Sequence, residues 1–369
     1  MLKWWEEKNY RDVVLGVIDY ADPSLSGKYG NASRTEFTIP HGSIIVNVKV
    51  TDTHFHVEAP FLYLPEGPKV PIMRQIAQLN FSPLNLAQVV KKEDQLVFRY
   101  SCPLELCEPY KVYDVLREIC IYSDTYDDEF ITKFGAKRIR EPQIRPYPKE
   151  TLDKAWQKFQ DYLREANEYI TYFDSKRMYS FNWDIVSLTL RKIEYYACPQ
   201  GYLRTEIERT VTELGSDKPF NDRVARGKEF LQKLSAMDRS RFDADMYVAE
   251  TFIPYKWRSV LENIKQNFQH ANETSAKEIS NGDHIGATLT ILFAFYNLFF
   301  SNNVQDDVAA VIENAMKDAS GKPWPEASLI LRQALDKVMS GDLSLQLAVT
   351  ETNSRQARGS IFSGIFGRK

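Results

Sequence analysis

The chain has 369 residues and a mass of 42.8 kDa, of which 43% are hydrophobic and 13% aromatic. That composition excludes a predominantly disordered protein, and the length predicts two domains rather than one. A formal net charge of -3 and a pI near 6.1 exclude a dedicated nucleic-acid-binding domain, so no nucleic acid partner is expected.

Residues 1–20 place Trp4, Trp5, Val13, Val14, Val17 and Ile18 at helical spacing, which predicts a helix with one apolar face. Its charges stand where a signal peptide needs an apolar core, so a cytoplasmic location is expected. The Pro, Gly, Ser and Asn content of residues 21–33 predicts a loop. Three strands follow, RTEFTIP, SIIVNVKVTD and HFHVEAPFLYLP, each with period-two alternation and β-branched or aromatic enrichment. Ile72, Ile76 and Leu79 then mark a helix over Val70–Asn80. The run VVKKEDQLVFRY predicts a hairpin about its charged turn. Val112, Val115, Leu116, Ile119, Cys120, Ser123, Phe130 and Phe134 line one stripe of a long helix from Tyr110 to Phe134, which Gly135 suits as a C-cap.

Residues 1–135 carry 14 Lys and Arg against 19 Asp and Glu, whereas residues 136–150 carry 5 against 2 together with three prolines. The prolines forbid an immediate new helix, so 136–150 is expected to be a basic, Pro-rich linker. From Thr151 to Gly341 the pattern predicts an all-α helical domain, with helical periods around 183–197, 202–214, 222–236, 256–272, 284–300, 304–317 and 325–340. Leu152, Trp156, Phe159, Leu163, Ala166, Ile170 and Phe173 form a heptad seam, read as an intramolecular helix pair. Ile285–Phe300 is strongly apolar but shorter than the roughly 20 residues of a bilayer span, so a buried bundle helix is expected and no transmembrane segment. Residues 342–369 form a basic tail that ends in an apolar motif of Ile361, Phe362, Ile365 and Phe366.

Chemistry finds little footing in these patterns. There is no Gly-x-Ser-x-Gly elbow, no phosphate-cradling Gly-rich loop and no dinucleotide fingerprint, so neither catalytic residues nor cofactors are expected. The few, irregularly spaced cysteines (Cys102, Cys107, Cys120, Cys198) sit beside apolar residues and are expected to be buried and reduced. A bridge between Cys102 and Cys107 is geometrically conceivable but has no sequence support. Strand alternation puts His54, His56 and Glu58 on one face with His41 the one further histidine nearby, too few ligands for zinc, and they are expected on the solvent side of a sheet. Asp124, Asp127, Asp128 and Glu129 point around their helix rather than together, so they are expected to form an exposed, partner-facing acidic surface rather than a metal site. Lys137, Arg138, Arg140, Arg145 and Lys149 are expected to be a charged interdomain tether.

The order helix, three strands, helix, two strands, helix across residues 1–134 resembles the type III secretion chaperone-like fold. The segment from Ile76 to Phe134 is similar in character to the bacterial YbjN-like group that shares it. The strings Leu79-Asn80-Phe81, Gln95-Leu96-Val97-Phe98, Cys102-Pro103-Leu104 and Ser123 to Glu129 carry the likeness. The resemblance implies a non-enzymatic module, commonly a homodimer, that binds another polypeptide. The expectation is thus an α+β domain over 1–135 and a helical domain over 151–341, acting in a bacterial cell as a chaperone, adaptor or assembly factor for a partner protein. Asp124, Asp127, Asp128 and Glu129 would contact that partner, and Ile361, Phe362, Ile365 and Phe366 would dock separately. The alternatives are a structural subunit of a larger bacterial or phage-like assembly and an enzyme of unrecognised type.

Overall fold

The computed structural model describes residues 1–343, so the tail motif of Ile361, Phe362, Ile365 and Phe366 lies outside the described residues. The chain forms two compact units that are not consecutive in sequence. The first comprises Met1–Pro146 with two returning segments, Pro199–Glu206 and Ala244–Tyr255; the second comprises Tyr147–Cys198, Ile207–Asp243 and the residues from Lys256 onward.

In the first unit the N-terminal apolar spacing resolves into two helices, α1 (Leu2–Glu6) and α2 (Tyr10–Ala21), separated by Lys8 at φ 61. The expected loop contains a short helix, α3 (Leu25–Tyr29). Strands β1 (Glu36–His41), β2 (Ile44–Val50) and β3 (His54–Tyr63) precede helix α4 (Val70–Phe81). The hairpin β4 (Gln88–Lys92) and β5 (Gln95–Pro103) and the helix α5 (Pro109–Phe134) follow. Five antiparallel strands lie in the order β1-β2-β3-β5-β4. One face buries Phe37, Ile39, Val46, Val48, Phe55, Val57 and Phe98 in a core shared with α2, α4 and α5. A register shift between Pro60 and Leu62 breaks the alternation of β3, so Phe61 and Leu62 are both buried. Phe61 then packs on Phe98 and Phe130, with ring centroids 5.0 Å and 6.0 Å away. The other face is polar. Glu36, Lys49, His56 and Ser101 stand in one cross-strand row, and Lys49 pairs with Glu36 at 2.7 Å. An antiparallel sheet with one solvated face needs this division of side chains.

Gly135 ends α5 at φ 70, the left-handed cap expected of it. Residues 136–146 are not a tether. They belong to the first unit and form two short strands, β6 (Lys137–Arg138) against β3 and β7 (Ile144–Pro146) against β8 (Tyr247–Ala249). Prolines exclude helix here but permit extended backbone, and an edge ladder uses it.

The second unit is largely helical. Its main helices are α6 (Lys149–Ser175), α7 (Phe181–Ala197), α9 (Phe220–Ser235), α11 (Leu261–Ser280), α12 (His284–Ser301), α13 (Asp306–Ala319) and α14 (Trp324–Ser340), with the short α10 (Arg239–Ala244); α8 (Gly201–Leu214) begins in the first unit's segment Pro199–Glu206 and ends in the second unit. A two-residue parallel ladder of β9 (Trp257–Arg258) and β10 (Asn302–Asn303) corrects the all-α expectation, since the backbone before α11 runs extended alongside the end of α12. The heptad seam packs within the chain, burying Phe159, Leu163, Ala166 and Phe173 with α6 against α7. Helix α12 has the length and composition to cross a membrane, with a mean hydropathy of 1.4 over 18 residues, and half of it is buried. Ile291, Phe295, Leu298 and Phe299 pack there with Phe268, Ile312 and Leu335. The Asp283 carboxylate caps this helix by accepting from the Gly286 amide at 2.8 Å.

Helices α7 and α9 approach closely at Gly227, where an added Cβ would lie 2.6 Å from Cγ1 of Val186 and 3.2 Å from Cδ2 of Leu214. Both neighbours are buried and branched, in an interior that packs closely. Gly227→Ala should therefore lower stability by roughly 1–3 kcal/mol despite alanine's better helix propensity. A thermal melt that is unchanged or raised would contradict that packing.

Candidate functional site

A group of ionisable side chains in the first unit surrounds the second half of α5. Asp127 and Glu129 are each only 6% exposed, which corrects the expectation of an exposed acidic surface over Asp124–Glu129. The reason lies in what faces them. Arg138, placed on β6 by the extended segment, reaches Asp127 with Nε 3.5 Å from Oδ2 and donates from Nη2 to Asp128 Oδ1. Lys133, one turn along α5, pairs with Glu129 at 2.6 Å. Asp124 meets His41, the last residue of β1, with Nε2 3.2 Å from Oδ2.

His41 is 2% exposed and both of its nitrogens are engaged. Nδ1 accepts from the backbone amide of Phe252 at 3.0 Å, while Nε2 lies 3.2 Å from both the Asp124 carboxylate and the Cys120 carbonyl. Burial disfavours a charged ring, but Cys120 and Asp124 outweigh it and draw the pKa well above the ordinary histidine range. The Phe252 amide acts against that pull, because an imidazolium would turn one N–H toward another. The Phe252 amide and the Asp124 carboxylate thus pull the ring's protonation in opposite directions, and Nε2 carries a proton toward Asp124 in either form. Partial burial alone would raise the Asp124 carboxyl; His41 and Arg204 hold it below its usual value. Asp127 goes the other way. Burial, then the charge of Asp128, push its pKa up to about 7 against the opposing Arg138.

Next to His41, Gly42 occupies φ 52, and a Cβ there would stand 2.5 Å from Asp124 Oδ1. Glycine is needed for both reasons. Its amide donates to the Glu250 carbonyl at 2.9 Å. Arg140 donates to the carbonyls of Gly42 and Ile44 at 3.1 Å and 3.3 Å and pairs with Glu250 at 3.3 Å. Farther along α5, Arg117 donates to the Tyr255 carbonyl at 3.0 Å. These contacts fasten the returning segment Ala244–Tyr255, whose Phe252 and Ile253 are 3% and 1% exposed in the first unit's core. The partners named here are main-chain groups and ion-pair mates within one unit. The arrangement can hold a segment in place, and it leaves neither His41 nitrogen for a nucleophile.

Elsewhere His56 bonds Ser101 at 2.8 Å and stacks 5.6 Å from His54, on the polar sheet face where alternation predicts them. Its pKa is lowered by burial and by His54, Arg99 and Lys49. Lys137 pairs with Glu66 at 2.7 Å. Cys102, Cys107 and Cys120 are buried and all four cysteines are free thiols. Among the described residues no group of three or more His, Cys, Asp or Glu is arranged to hold a metal. Sequence patterns missed His41, Glu118 and the returning segment. Glu118 accepts the amides of Asn85, Leu86 and Ala87, each at 3.0 Å, tying the loop before β4 to α5. One signal for the segment was present: Met246–Ile253 is rich in β-branched and aromatic residues and stops at Pro254. No protein-family model and no curated protein matches the chain.

His41→Leu leaves the Phe252 amide and the Asp124 carboxylate without their partner, and should cost roughly 2–4 kcal/mol in urea unfolding. A loss below about 1 kcal/mol would show that the clasp is not needed for the fold. Asp127 makes a pH prediction. Its folded pKa lies above its unfolded value of about 3.9, so it retains a proton on folding and its contribution to stability falls as the pH rises from about 4 to 7. Asp127→Asn should remove that decline, so the variant gains on the wild type between pH 4.5 and pH 8. Parallel pH profiles would exclude a raised Asp127.

Proposed function

We propose that the protein is a non-enzymatic binding module, a chaperone, adaptor or assembly factor that receives a segment of a partner polypeptide in the cytoplasm of a bacterial cell. The observation that carries this reading is an open groove of about 680 Å³ along the outer side of α6. Leu163, 2% exposed, lies at its base, and Tyr172, 45% exposed, stands along it. Gln160, Arg164, Asn167 and Glu168 give it a polar rim, and Ser235 at the end of α9 closes one side. An open groove of polar side chains with one exposed tyrosine suits a peptide or helix that packs on Tyr172 and leaves its other face wet. Tyrosine is among the side chains that contribute most when buried at such contacts. The resemblance of the N-terminal strand and helix order to chaperone-like modules points the same way.

The test is affinity purification from the native host with wild type and Tyr172→Asp side by side. Tyr172 is substantially exposed, so the substitution should leave the thermal melt unchanged. Retention of a stoichiometric partner protein should drop about tenfold or more. Equal retention by both proteins, or no stoichiometric partner at all, would overturn the proposal. A large homomeric particle on sizing would favour the structural-subunit reading instead.

A further inference from the structure

Two thiols of the first unit lie much closer together than their chain positions require. Cys102 ends the apolar face of β5, and Cys107 follows a 3-10 turn at Leu104–Leu106, just before α5. Their Sγ atoms are 3.4 Å apart. Both ends of the turn are fastened, since the Leu104 amide donates to the Thr53 carbonyl at 2.9 Å and the Cys107 amide to the Leu104 carbonyl at 3.0 Å. The pairing is therefore set by the sheet and the turn. The Cys107 thiol points its proton toward the Pro103 carbonyl, 3.6 Å away, which leaves a sulfur lone pair for Cys102. The two residues differ in access: Cys102 is 7% exposed and Cys107 is 0% exposed.

We propose that Cys102 and Cys107 form an oxidation site, a dithiol that hydrogen peroxide converts to one intramolecular disulfide within the folded chain. The Cys102 sulfur attacks one peroxide oxygen, the O–O bond breaks, and water leaves after proton transfer, giving a sulfenic acid. The Cys107 sulfur then attacks the Cys102 sulfur, the S–O bond breaks and a second water leaves. Two thiols lose two electrons, peroxide gains them, and the two thiol protons end in water. Closing the sulfurs from 3.4 Å to the roughly 2.05 Å of a disulfide needs a small shift across a four-residue turn. Burial raises the Cys107 thiol pKa, so the site is slow to react by itself and depends on its partner's proximity. Disulfide selectivity follows from pairing: the Cys102 and Cys107 sulfurs face each other at 3.4 Å, whereas Cys120 is fully buried and the part-exposed Cys198 belongs to the other unit.

The experiment treats the full chain with millimolar hydrogen peroxide, quenches it, and counts thiols after unfolding. The count should fall from four to two, with a Cys102–Cys107 linked peptide in a non-reducing digest, a raised melting temperature and full reversal by dithiothreitol. A variant lacking both Cys120 and Cys198 should respond identically. Cys107→Ala should instead accumulate a Cys102 sulfenic acid that dimedone traps. Four surviving thiols, sulfinic acid at Cys102 with Cys107 still free, or a bridge between other cysteines or between chains would each overturn the proposal.

Discussion

A helix that buries carboxylates must bring donors and cations to them, and the N-terminal unit is organised around that requirement. Asp127 and Glu129 point from α5 into a region that excludes water. An isolated ionised carboxylate there would cost several kcal/mol, so the chain supplies Arg138 and Lys133, and Asp127 shifts toward its neutral form. Removing one partner of such a set is expensive because it strands the other. The extended course of residues 136–146 follows from the same need, since it delivers Arg138 to the acids and Arg140 to the β1–β2 turn.

His41 extends this logic to a segment far along the chain. One ring nitrogen serves the acidic helix and the other holds the amide of Phe252, so two elements more than 100 residues apart share a single side chain. Phe252 and Ile253 then complete the apolar core from outside the first 146 residues. A fragment cut at the apparent boundary after Gly135 would lose both the arginines and the returning segment. The first unit is consequently defined by packing, not by consecutive sequence.

Much of the architecture was legible from residue patterns. Alternation in β1 to β3, the Lys-Lys-Glu-Asp turn of the hairpin, the stripe along α5 and its Gly135 cap all appear where the pattern puts them, because each is set by local periodicity and turn chemistry. Asn281-Gly282-Asp283 likewise separates α11 from α12. The polar cluster was not legible. Asp127 and Glu129 look like solvated charges in sequence, and only the long-range pairing of β6 with β3 and of β7 with β8 shows what buries them. Arg138 and Arg140 look like a tether for the same reason. His41 looks in sequence like a spare histidine near His54 and His56, whereas its contacts to Phe252 and Asp124 make it a clasp.

One unit carries a polar sheet face and the other an open groove along α6. The central structural claim is that residues 247–253 belong to the N-terminal unit, with Phe252 and Ile253 in its core. Amide hydrogen exchange on the intact protein tests it most directly. The Phe252 and Gly42 amides should be protected to the same degree as those of β2 and β3, and His41→Leu should release Phe252 while β2 stays protected. Exchange of residues 247–253 at surface-loop rates in the wild-type protein would contradict the account.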